Sequence, residues 1–275
     1  MIINFNDHSD RKKRAYDFCI CGAGAAGITL ALELANRGYI IALFEGGDKE
    51  YSQQSQEIYA GEVTDTNPYW LDLLRLRFLG GTTNHWAGRC RPFVEFDFED
   101  KIINGLPGWP ISFDEFNRYL PQAINILGLD KSNTFKSAEG SKIDSENFIP
   151  DIYASSNVKF RDKFLNDLDN HNNIDLFLNA NLVDIRLKKD LKTVDTITIQ
   201  NYKSQKQSFS APKFIIAMGA IENARILLNS NSQIIEGIGN QTGMVGKCFM
   251  EHFNIRLGEL FLTKQNGEKL RQCNL

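Results

Sequence analysis

Apolar residues near the N-terminus form two short runs, 18–21 and 39–44, on either side of a stretch with helical period at 28–37. Short apolar runs are typical of buried strands, whereas apolar residues three and four positions apart are typical of a helix. Gly38 follows the helical stretch and supplies a helix stop. The pattern therefore predicts a strand, a helix and a second strand at the start of the chain.

The period changes to two from residue 174 onward. Alternating positions predict short strands at 174–178, 181–187, 194–200 and 207–211. A buried run at 214–217 and a helical stretch at 221–228 follow. A two-domain NAD dehydrogenase would instead keep alternating strands and helices through its first half. A meander before the last strand of a nucleotide domain is a flavoprotein arrangement.

The remaining regions have weaker patterns. We expect helices at 69–77, 114–127 and 160–168, a polar surface loop at 131–147, and a solvated polar leader at 1–15.

The turn between the first two predicted strands carries Gly22, Gly24 and Gly27, which fit G-x-G-x-x-G. Gly22 permits the sharp turn, Gly24 lets the backbone approach a pyrophosphate, and Gly27 lets the helix lie close to the strand. The helix N-terminus supplies free N–H groups for phosphates. Glu45 ends the second run and can accept hydrogen bonds from ribose hydroxyls. These features predict a dinucleotide site, but they do not separate NAD from FAD, which share the ADP half.

Composition restricts the function classes. The chain has 275 residues, a net charge of −3, 42% hydrophobic and 24% charged residues, so nucleic acid is not an expected partner. No apolar stretch approaches the roughly 18 residues that span a bilayer, and the first residues lack a secretory signal, which favours the cytoplasm. The cysteines have no C-x-x-C spacing, so no metal site is predicted. Cys19 and Cys21 share one strand face and are expected to be small buried hydrophobes.

A second glycine motif, RFLGGTTNHWAGR at 77–89, bears on the cofactor. Its two glycines and small hydroxyl residues would let the backbone run along a planar ring; the alternative is an ordinary turn with a buried Trp86. The segments GWPIS at 108–112, AMGAIEN at 217–223 and VGKCFMEH at 245–252 follow in order. With these motifs, the stretch 16–252 resembles the glucose–methanol–choline (GMC) oxidoreductases, and it is most similar to the sugar dehydrogenase and pyranose oxidase branch.

The resemblance implies an α/β fold: a Rossmann-like FAD-binding domain with a parallel sheet and a β-meander. It also implies hydride transfer from the CH–OH group of an alcohol or sugar to flavin N5. Gly22, Gly24 and Gly27 match the pyrophosphate turn, and Glu45 matches the adenosine-ribose ligand. The resemblance places the following residues beside the isoalloxazine: Gly80, Gly81, Thr82, Thr83, Asn84 and His85. Val183 matches the position whose backbone meets the adenine. The residues that match the strand end over the ADP portion are Ala217, Gly219 and Ala220. Some relatives attach FAD covalently through the histidine that corresponds to His85; the alternative is a hydrogen-bonded packing residue.

The chain departs from the family at its C-terminal end. The family's catalytic base is a late histidine, and no residue here matches it, so the catalytic residue is unknown and the base is expected beyond Leu275. His252 is expected to be structural, and His8 and His171 have no chemical context.

The expected organisation is a leader at 1–15, an FAD-binding domain at 16–252 with a long insertion at 91–173, and the start of an incomplete substrate-domain sheet at 253–275. We therefore expect this chain to be the N-terminal part of a GMC-type enzyme, whose C-terminal part would supply the catalytic base and the rest of the substrate-domain sheet.

Two other functions stay open at this point. One is an NAD(P)-linked dehydrogenase, which the meander and the GGTTNHW loop disfavour. The other is a non-catalytic remnant that binds nucleotide weakly or not at all. The substrate, the electron acceptor and the oligomeric state are not predicted.

Overall fold

A computed structural model describes residues 1–7, 14–64, 70–99, 108–129 and 153–251. The chain divides into two compact units, one of residues 1–86 with 158–248 and one of 87–157 with 249–275. The predicted division at residues 15 and 252 stays a prediction, as do the loop at 131–147 and the strand after residue 252, which lie outside the described residues.

The elements are numbered in chain order. The strands are Ile2–Asn4 (β1), Phe18–Cys21 (β2), Ile41–Phe44 (β3), Arg89–Cys90 (β4), Ala154–Ser155 (β5), Ile174–Leu178 (β6), Asn181–Leu187 (β7), Val194–Gln200 (β8), Lys206–Phe209 (β9) and Lys213–Ile216 (β10). The α-helices are Ala25–Asn36 (α1), Gln53–Gln56 (α2), Phe113–Asn117 (α3), Leu120–Ile126 (α4), Phe160–Asn170 (α5) and Ala220–Asn229 (α6). Short 3₁₀ turns lie at Phe5–Asp7, Glu57–Tyr59, Gly81–Asn84 and Glu95–Phe98.

A parallel five-stranded sheet forms the centre of the first unit, with strand order β1-β6-β3-β2-β10. Cys21 pairs with Phe44 on one side and with Ile216 on the other, and Phe44 pairs with Phe177. The carboxyl ends of four strands are therefore in register. In parallel α/β sheets, ligands bind at this edge. The predicted α/β class with a parallel sheet is confirmed.

The meander β7-β8-β9 is antiparallel and lies in the chain between β6 and β10, as predicted. The strands β6, β7 and β8 have the predicted bounds, while β9 and β10 each begin one residue earlier than predicted. The helix expected at 221–228 is confirmed as α6.

A phenylalanine cluster fills the core between one sheet face and the meander. Phe44 stacks on Phe177 with ring centroids 5.0 Å apart, and Phe209 lies 4.8 Å from Phe44 and 5.5 Å from Phe177. Cys19 and Cys21 belong to the same buried cluster, which confirms their predicted packing role. Burial raises the pKa of Cys19 to about 12 and that of Cys21 well above its ordinary value. Both thiols are therefore protonated and unreactive near neutral pH.

The two helices α1 and α5 contact the sheet and each other. Ile20 and Leu43 alternate with the cluster residues along their strands, so they face away from the meander. These two side chains, and Ile28 and Ala31 on α1, are fully buried. The first unit is thus layered as helices, sheet and meander.

The start of the chain differs from the predicted solvated leader. Ile2–Asn4 forms an edge strand parallel to β6, and Phe5 is buried in the core. Ile3 and Phe5 sit two positions apart and both bury their side chains, a period-two signal too short to stand out in the sequence.

The helix predicted at 69–77 is wrong for its described residues, because 70–77 form turns and extended chain. Buried Gln56 uses its amide to bond the carbonyls of Asp72 and Arg75 and the N–H of Arg77, which replaces helical bonds.

The helix predicted at 114–127 is two helices, α3 and α4. Ser112 and Glu115 form a capping box at the start of α3. Pro121 stands in the first turn of α4, where its missing N–H costs no hydrogen bond. The helix predicted at 160–168 is confirmed as α5, which extends to Asn170.

The second unit pairs β4 with β5 in antiparallel fashion. Its rings form a cluster in which Phe98 lies 5.2 Å from Phe116 and Phe93 lies 5.6 Å from Phe116. Across the described residues of the whole chain, no helix has both the length and the apolar character needed to cross a membrane.

Candidate nucleotide-binding site

The glycine turn after β2 is built against the end of β10. Gly22 has φ of +100°, and a Cβ at this position would lie 2.5 Å from the carbonyl oxygen of Ala217. Its N–H donates to the carbonyl of Phe44 at 2.7 Å. Both the left-handed backbone and the lack of space require glycine here.

The third glycine of the motif lets α1 approach the turn. A Cβ on Gly27 would lie 1.8 Å from the carbonyl oxygen of Gly22. No side chain can be accommodated at that distance. The predicted close packing of the helix is therefore confirmed in geometry.

Open space faces the helix N-terminus. Gly24 is the N-cap of α1, and among the described residues a Cβ added to it would meet nothing within 4 Å. Within the described part of the chain, no side chain caps the helix and no acidic residue stands in its first turn. Free N–H groups and the helix dipole together favour an anion at this position.

The Glu45 side chain lies directly after β3 and is only 6% exposed. One carboxylate oxygen accepts the N–H of Ala23 at 3.0 Å, and the other accepts the N–H of Gly47 at 2.9 Å. Each oxygen keeps a second lone pair that can accept a ligand hydroxyl. Glu45 therefore holds the glycine turn in place, and its bond to a ribose stays a prediction.

The second glycine motif rests on the first. Gly80 donates its N–H to the carbonyl of Ala23 at 2.8 Å. A Cβ on Gly81 would lie 3.3 Å from Cα of Gly24. Both Gly80 and Gly81 have positive φ, +89° and +56°, which favours glycine at each position. The tertiary structure thus joins two motifs that are distant in sequence.

The rest of the second loop divides into buried and exposed side chains. Thr83 is buried, donates to the carbonyl of Gly80 at 2.7 Å and accepts the N–H of Phe160 at 3.1 Å, so it ties the loop to α5. Thr82 and His85 are both exposed. Trp86 packs edge-on against Phe160 and donates to the carbonyl of Val158 at 3.0 Å.

The loop leaves one polar atom without a partner. The Asn84 amide nitrogen donates to the carbonyls of Leu79 at 2.9 Å and Gly81 at 2.8 Å. Its Oδ1 atom is buried, and no described residue donates a hydrogen bond to it. A buried acceptor without a donor is rare in a native protein.

Val183 falls at a bulge in the meander, because Leu182 pairs with Ile199 while Asp184 pairs with Thr198. A bulge residue has no direct partner across the ladder, and the Val183 side chain is 36% exposed. These two features leave Val183 accessible.

The segment from Ala217 to Ala220 links β10 to α6. Ala217 donates to the carbonyl of Cys21 at 2.7 Å, next to the glycine turn. Gly219 is the N-cap of α6 with φ of +87°, and both Gly219 and Ala220 are exposed. Asn223 bonds the Met218 N–H at 2.9 Å and holds this segment in place.

Sequence patterns gave no signal for a polar network behind Glu45. Arg77 donates to the Tyr202 hydroxyl at 3.0 Å and to Asn181 Oδ1 at 2.7 Å. The Tyr202 hydroxyl donates to the carbonyl of Gly46 at 2.7 Å. Because the partners are more than a hundred residues apart, only the fold brings them together.

The described histidines do not supply an evident base. His171 caps the end of α5 and accepts the N–H of Asn173 at 3.2 Å. His85 is exposed in the second glycine loop, and His8 and His252 lie outside the described residues.

The catalytic residue stays unassigned. The base expected beyond Leu275 stays a prediction, because the described part of the chain ends at residue 251 and does not test it. The described residues supply a glycine turn at an uncapped helix N-terminus, an acidic residue beside it and a second loop packed against it.

Similarity to known proteins is confined to solved structures at low sequence identity. No family model matches the chain, and no curated protein matches it. A pyridoxine 4-oxidase from Mesorbium loti is 14% identical with a TM-score of 0.49, over 78% of this chain and 51% of that chain. A formate oxidase is 15% identical with a TM-score of 0.49, over 80% and 48%. A formate oxidase variant from Aspergillus oryzae RIB40, described for its effect on FAD modification, has the same values. This chain spans about half the length of these proteins.

Proposed function

We propose that this chain is the FAD-binding part of an FAD-dependent oxidoreductase of the GMC type that acts on CH–OH groups of alcohols or sugars. The observation that carries the proposal is the contact between the two glycine loops, where Gly80 bonds Ala23 and Gly81 packs on Gly24. FAD has a pyrophosphate close to an extended ring system, so its site needs a phosphate turn with a second flat backbone loop beside it.

The residues present suit the ADP half of FAD. The uncapped N-terminus of α1, with open space at Gly24, suits the pyrophosphate. The Glu45 carboxylate keeps acceptor sites for ribose hydroxyls, and the bulge at Val183 leaves backbone for an adenine edge.

The second loop suits the flavin ring. Gly81 is half-buried and carries no side chain, so its backbone can lie along a planar ring beside the first glycine turn. The His85 side chain is exposed and makes no hydrogen bond or ion pair to another described residue, so it is available for a covalent link to FAD.

Bound FAD would supply the hydride acceptor for oxidation of the CH–OH carbon. The described residues account for binding and orientation of the cofactor. The base that takes the hydroxyl proton is expected beyond Leu275, and the surface that selects the substrate is also expected outside the described residues.

The test is the identity of the bound cofactor. The protein should be expressed in its full-length context, purified without added nucleotide, denatured, and its released cofactor identified by absorbance and mass spectrometry. Recovery of FAD, with bleaching of the holoprotein by an alcohol or sugar, would support the proposal. Recovery of NAD or NADP alone would overturn it in favour of a nicotinamide-dependent dehydrogenase, and absence of any nucleotide would favour a non-catalytic remnant.

A further inference from the structure

Residues 45–48, which we call the acidic turn, are supported on one side by the residue that follows β6. Asn179 is buried and has φ of +57°. Its N–H donates to the carbonyl of Gly47 at 2.8 Å, and its Nδ2 donates to Asp48 Oδ2 at 2.8 Å. Asparagine adopts left-handed backbone more readily than other residues with a side chain, so Asn179 can make both bonds from this position.

The hairpin between β8 and β9 supports the acidic turn on a second side. The Tyr202 hydroxyl, at the tip of this hairpin, donates to the carbonyl of Gly46 at 2.7 Å. Asn201 is buried, and its Oδ1 accepts the N–H groups of Lys203 and Gln205, which fixes the shape of the tip. Tyr202 is therefore presented to the acidic turn by an ordered piece of backbone.

The end of β1 connects these two supports. Asn4 is the last residue of β1, and its Oδ1 accepts a hydrogen bond from Asn179 Nδ2 at 2.9 Å. The same Oδ1 atom accepts the N–H of Asn6 at 3.1 Å. Asn6 Oδ1 in turn accepts the N–H of Tyr202 at 3.1 Å. We call these four residues, Asn4, Asn6, Asn179 and Tyr202, the brace.

The brace reaches the Glu45 carboxylate through Gly47. The Gly47 N–H donates to Glu45 Oε1 at 2.9 Å, while its carbonyl accepts the bond from Asn179. The Glu45 carbonyl accepts the N–H of Ala180, the residue after Asn179, at 2.8 Å. A displacement of the brace would therefore move both the backbone and the side-chain partner of Glu45.

We infer that the brace positions the Glu45 carboxylate for the ribose of FAD and so sets the affinity for the ADP half of the cofactor. This inference rests on the proposed FAD binding. Two members of the brace, Asn4 and Asn6, lie outside the stretch 16–252 whose motifs resemble the GMC enzymes. All four members act through the acidic turn and are positioning residues. A carboxylate that is already held in place binds its ligand without an additional ordering cost.

The test measures FAD and ADP binding to the full-length apoprotein by isothermal titration calorimetry, in Tyr202→Phe and in a control, Tyr16→Phe. ADP carries the ribose and pyrophosphate of FAD without the flavin, so it reports on this half of the site alone. Each substitution removes one hydrogen-bonded hydroxyl from a half-buried tyrosine. The Tyr16 hydroxyl donates to Asp175 Oδ2 at 2.9 Å, and Asp175 stands at the amino end of β6, away from the acidic turn.

We expect Tyr202→Phe to raise the dissociation constants of FAD and ADP by about fivefold each, the size of effect typical of one lost uncharged hydrogen bond. Tyr16→Phe should change both constants by less than about twofold, even where thermal unfolding shows a similar loss of stability. A residue with a merely structural role would lower stability without changing ADP affinity.

A second variant, Asn6→Ala, tests the contribution of the N-terminal residues. Tyr202→Phe also removes one acceptor of Arg77, which keeps its bond to Asn181, whereas Asn6→Ala leaves the bonds of Arg77 intact. Asn6→Ala should raise both dissociation constants by about threefold, because the Tyr202 N–H loses its acceptor. The double variant should be no weaker than about fivefold, since both changes release the same support.

The outcomes separate the two hypotheses. If the full-length wild-type protein neither holds nor binds flavin, the proposed function is wrong. If it binds FAD, the brace alone is wrong in three cases: Tyr202→Phe leaves both constants unchanged, it weakens FAD but not ADP, or Tyr16→Phe weakens both ligands equally. Fully additive effects in the double variant would also overturn the brace as one unit. Should Tyr202→Phe fail to fold, Asn6→Ala decides: weaker binding of both ligands supports the brace, and unchanged affinities overturn it.

Discussion

Gly80 donates its backbone N–H to the carbonyl oxygen of Ala23, and this 2.8 Å bond seats the second glycine loop on the first. The N–H of the same Ala23 residue donates to Glu45 at 3.0 Å. The first glycine turn, the residue after β3 and the second glycine loop are separate in the chain, and all three meet at Ala23. The geometry of the candidate site depends on this meeting point.

The first prediction separates folding from binding within the first glycine motif. Gly27→Ala should destabilise the protein by about 3 kcal/mol or more, because its Cβ would lie 1.8 Å from the Gly22 carbonyl. Gly24→Ala should change stability by less than about 1 kcal/mol, since its Cβ points into open space. That same Cβ should reduce FAD affinity about tenfold or more, by obstructing the phosphate approach. Urea unfolding and flavin titration measure the two effects. Equal stability losses in both variants would contradict the assignment.

The second prediction concerns Glu45. Glu45→Gln places an amide N–H₂ against one of two backbone donors, Ala23 or Gly47, so a charged hydrogen bond is lost. The expected loss of stability is about 1.5–3 kcal/mol, and FAD affinity should fall about tenfold or more. Thermal unfolding without and with FAD separates these contributions.

The control for Glu45 is Glu57→Ala, because Glu57 is exposed and its side chain bonds only the Gln53 side chain among the described residues. This variant should leave both stability and FAD affinity close to the wild-type values. A Glu45→Gln protein with unaltered FAD affinity would remove Glu45 from the cofactor site.

The third prediction tests His85 as a covalent attachment point. If His85 carries the flavin, acid precipitation should leave the flavin on the polypeptide, and His85→Ala should release it. His85→Ala should not alter stability by more than about 0.5 kcal/mol, because its side chain is exposed. Peptide mass spectrometry of the precipitate locates the modified residue. Complete release of flavin from the wild-type protein would exclude the covalent link, while non-covalent contact would remain open.

The fourth prediction concerns thiol reactivity and its pH dependence. Burial raises the pKa of Cys19 to about 12 and that of Cys21 well above its ordinary value, so less thiolate is present in the folded state. Iodoacetamide at pH 8 should label exposed Cys248 in the native protein and reach Cys19 and Cys21 only after denaturation. Raising the pH to 9 should still leave the two buried thiols of the native protein unlabelled. Rapid native labelling of Cys19, detected in its tryptic peptide, would show that the β2 face is accessible.

Local patterns were sufficient to predict most of the first unit. The alternation at 174–200 gave the bounds of three strands, because a period of two with apolar residues on one face has few other stable structures. Local patterns did not predict the conformation at the N-terminus or at 69–77. The strand β1 forms because it pairs with β6, and the described part of 69–77 is held in a non-helical conformation by the Gln56 amide.

By itself, the sequence determined the glycine turn, the acidic residue after β3, and the order of strands, meander and final helix, since each follows from the chemistry of a few adjacent residues. Only the tertiary structure decided that Gly80 bonds Ala23, that Arg77 packs on Gly46, and that Arg75 pairs with Glu222, 147 positions away. No periodicity connects residues at such separations. Their contacts arise because parallel pairing of β2, β3 and β10 aligns three carboxyl ends at one edge, where the segments that follow must share the same space.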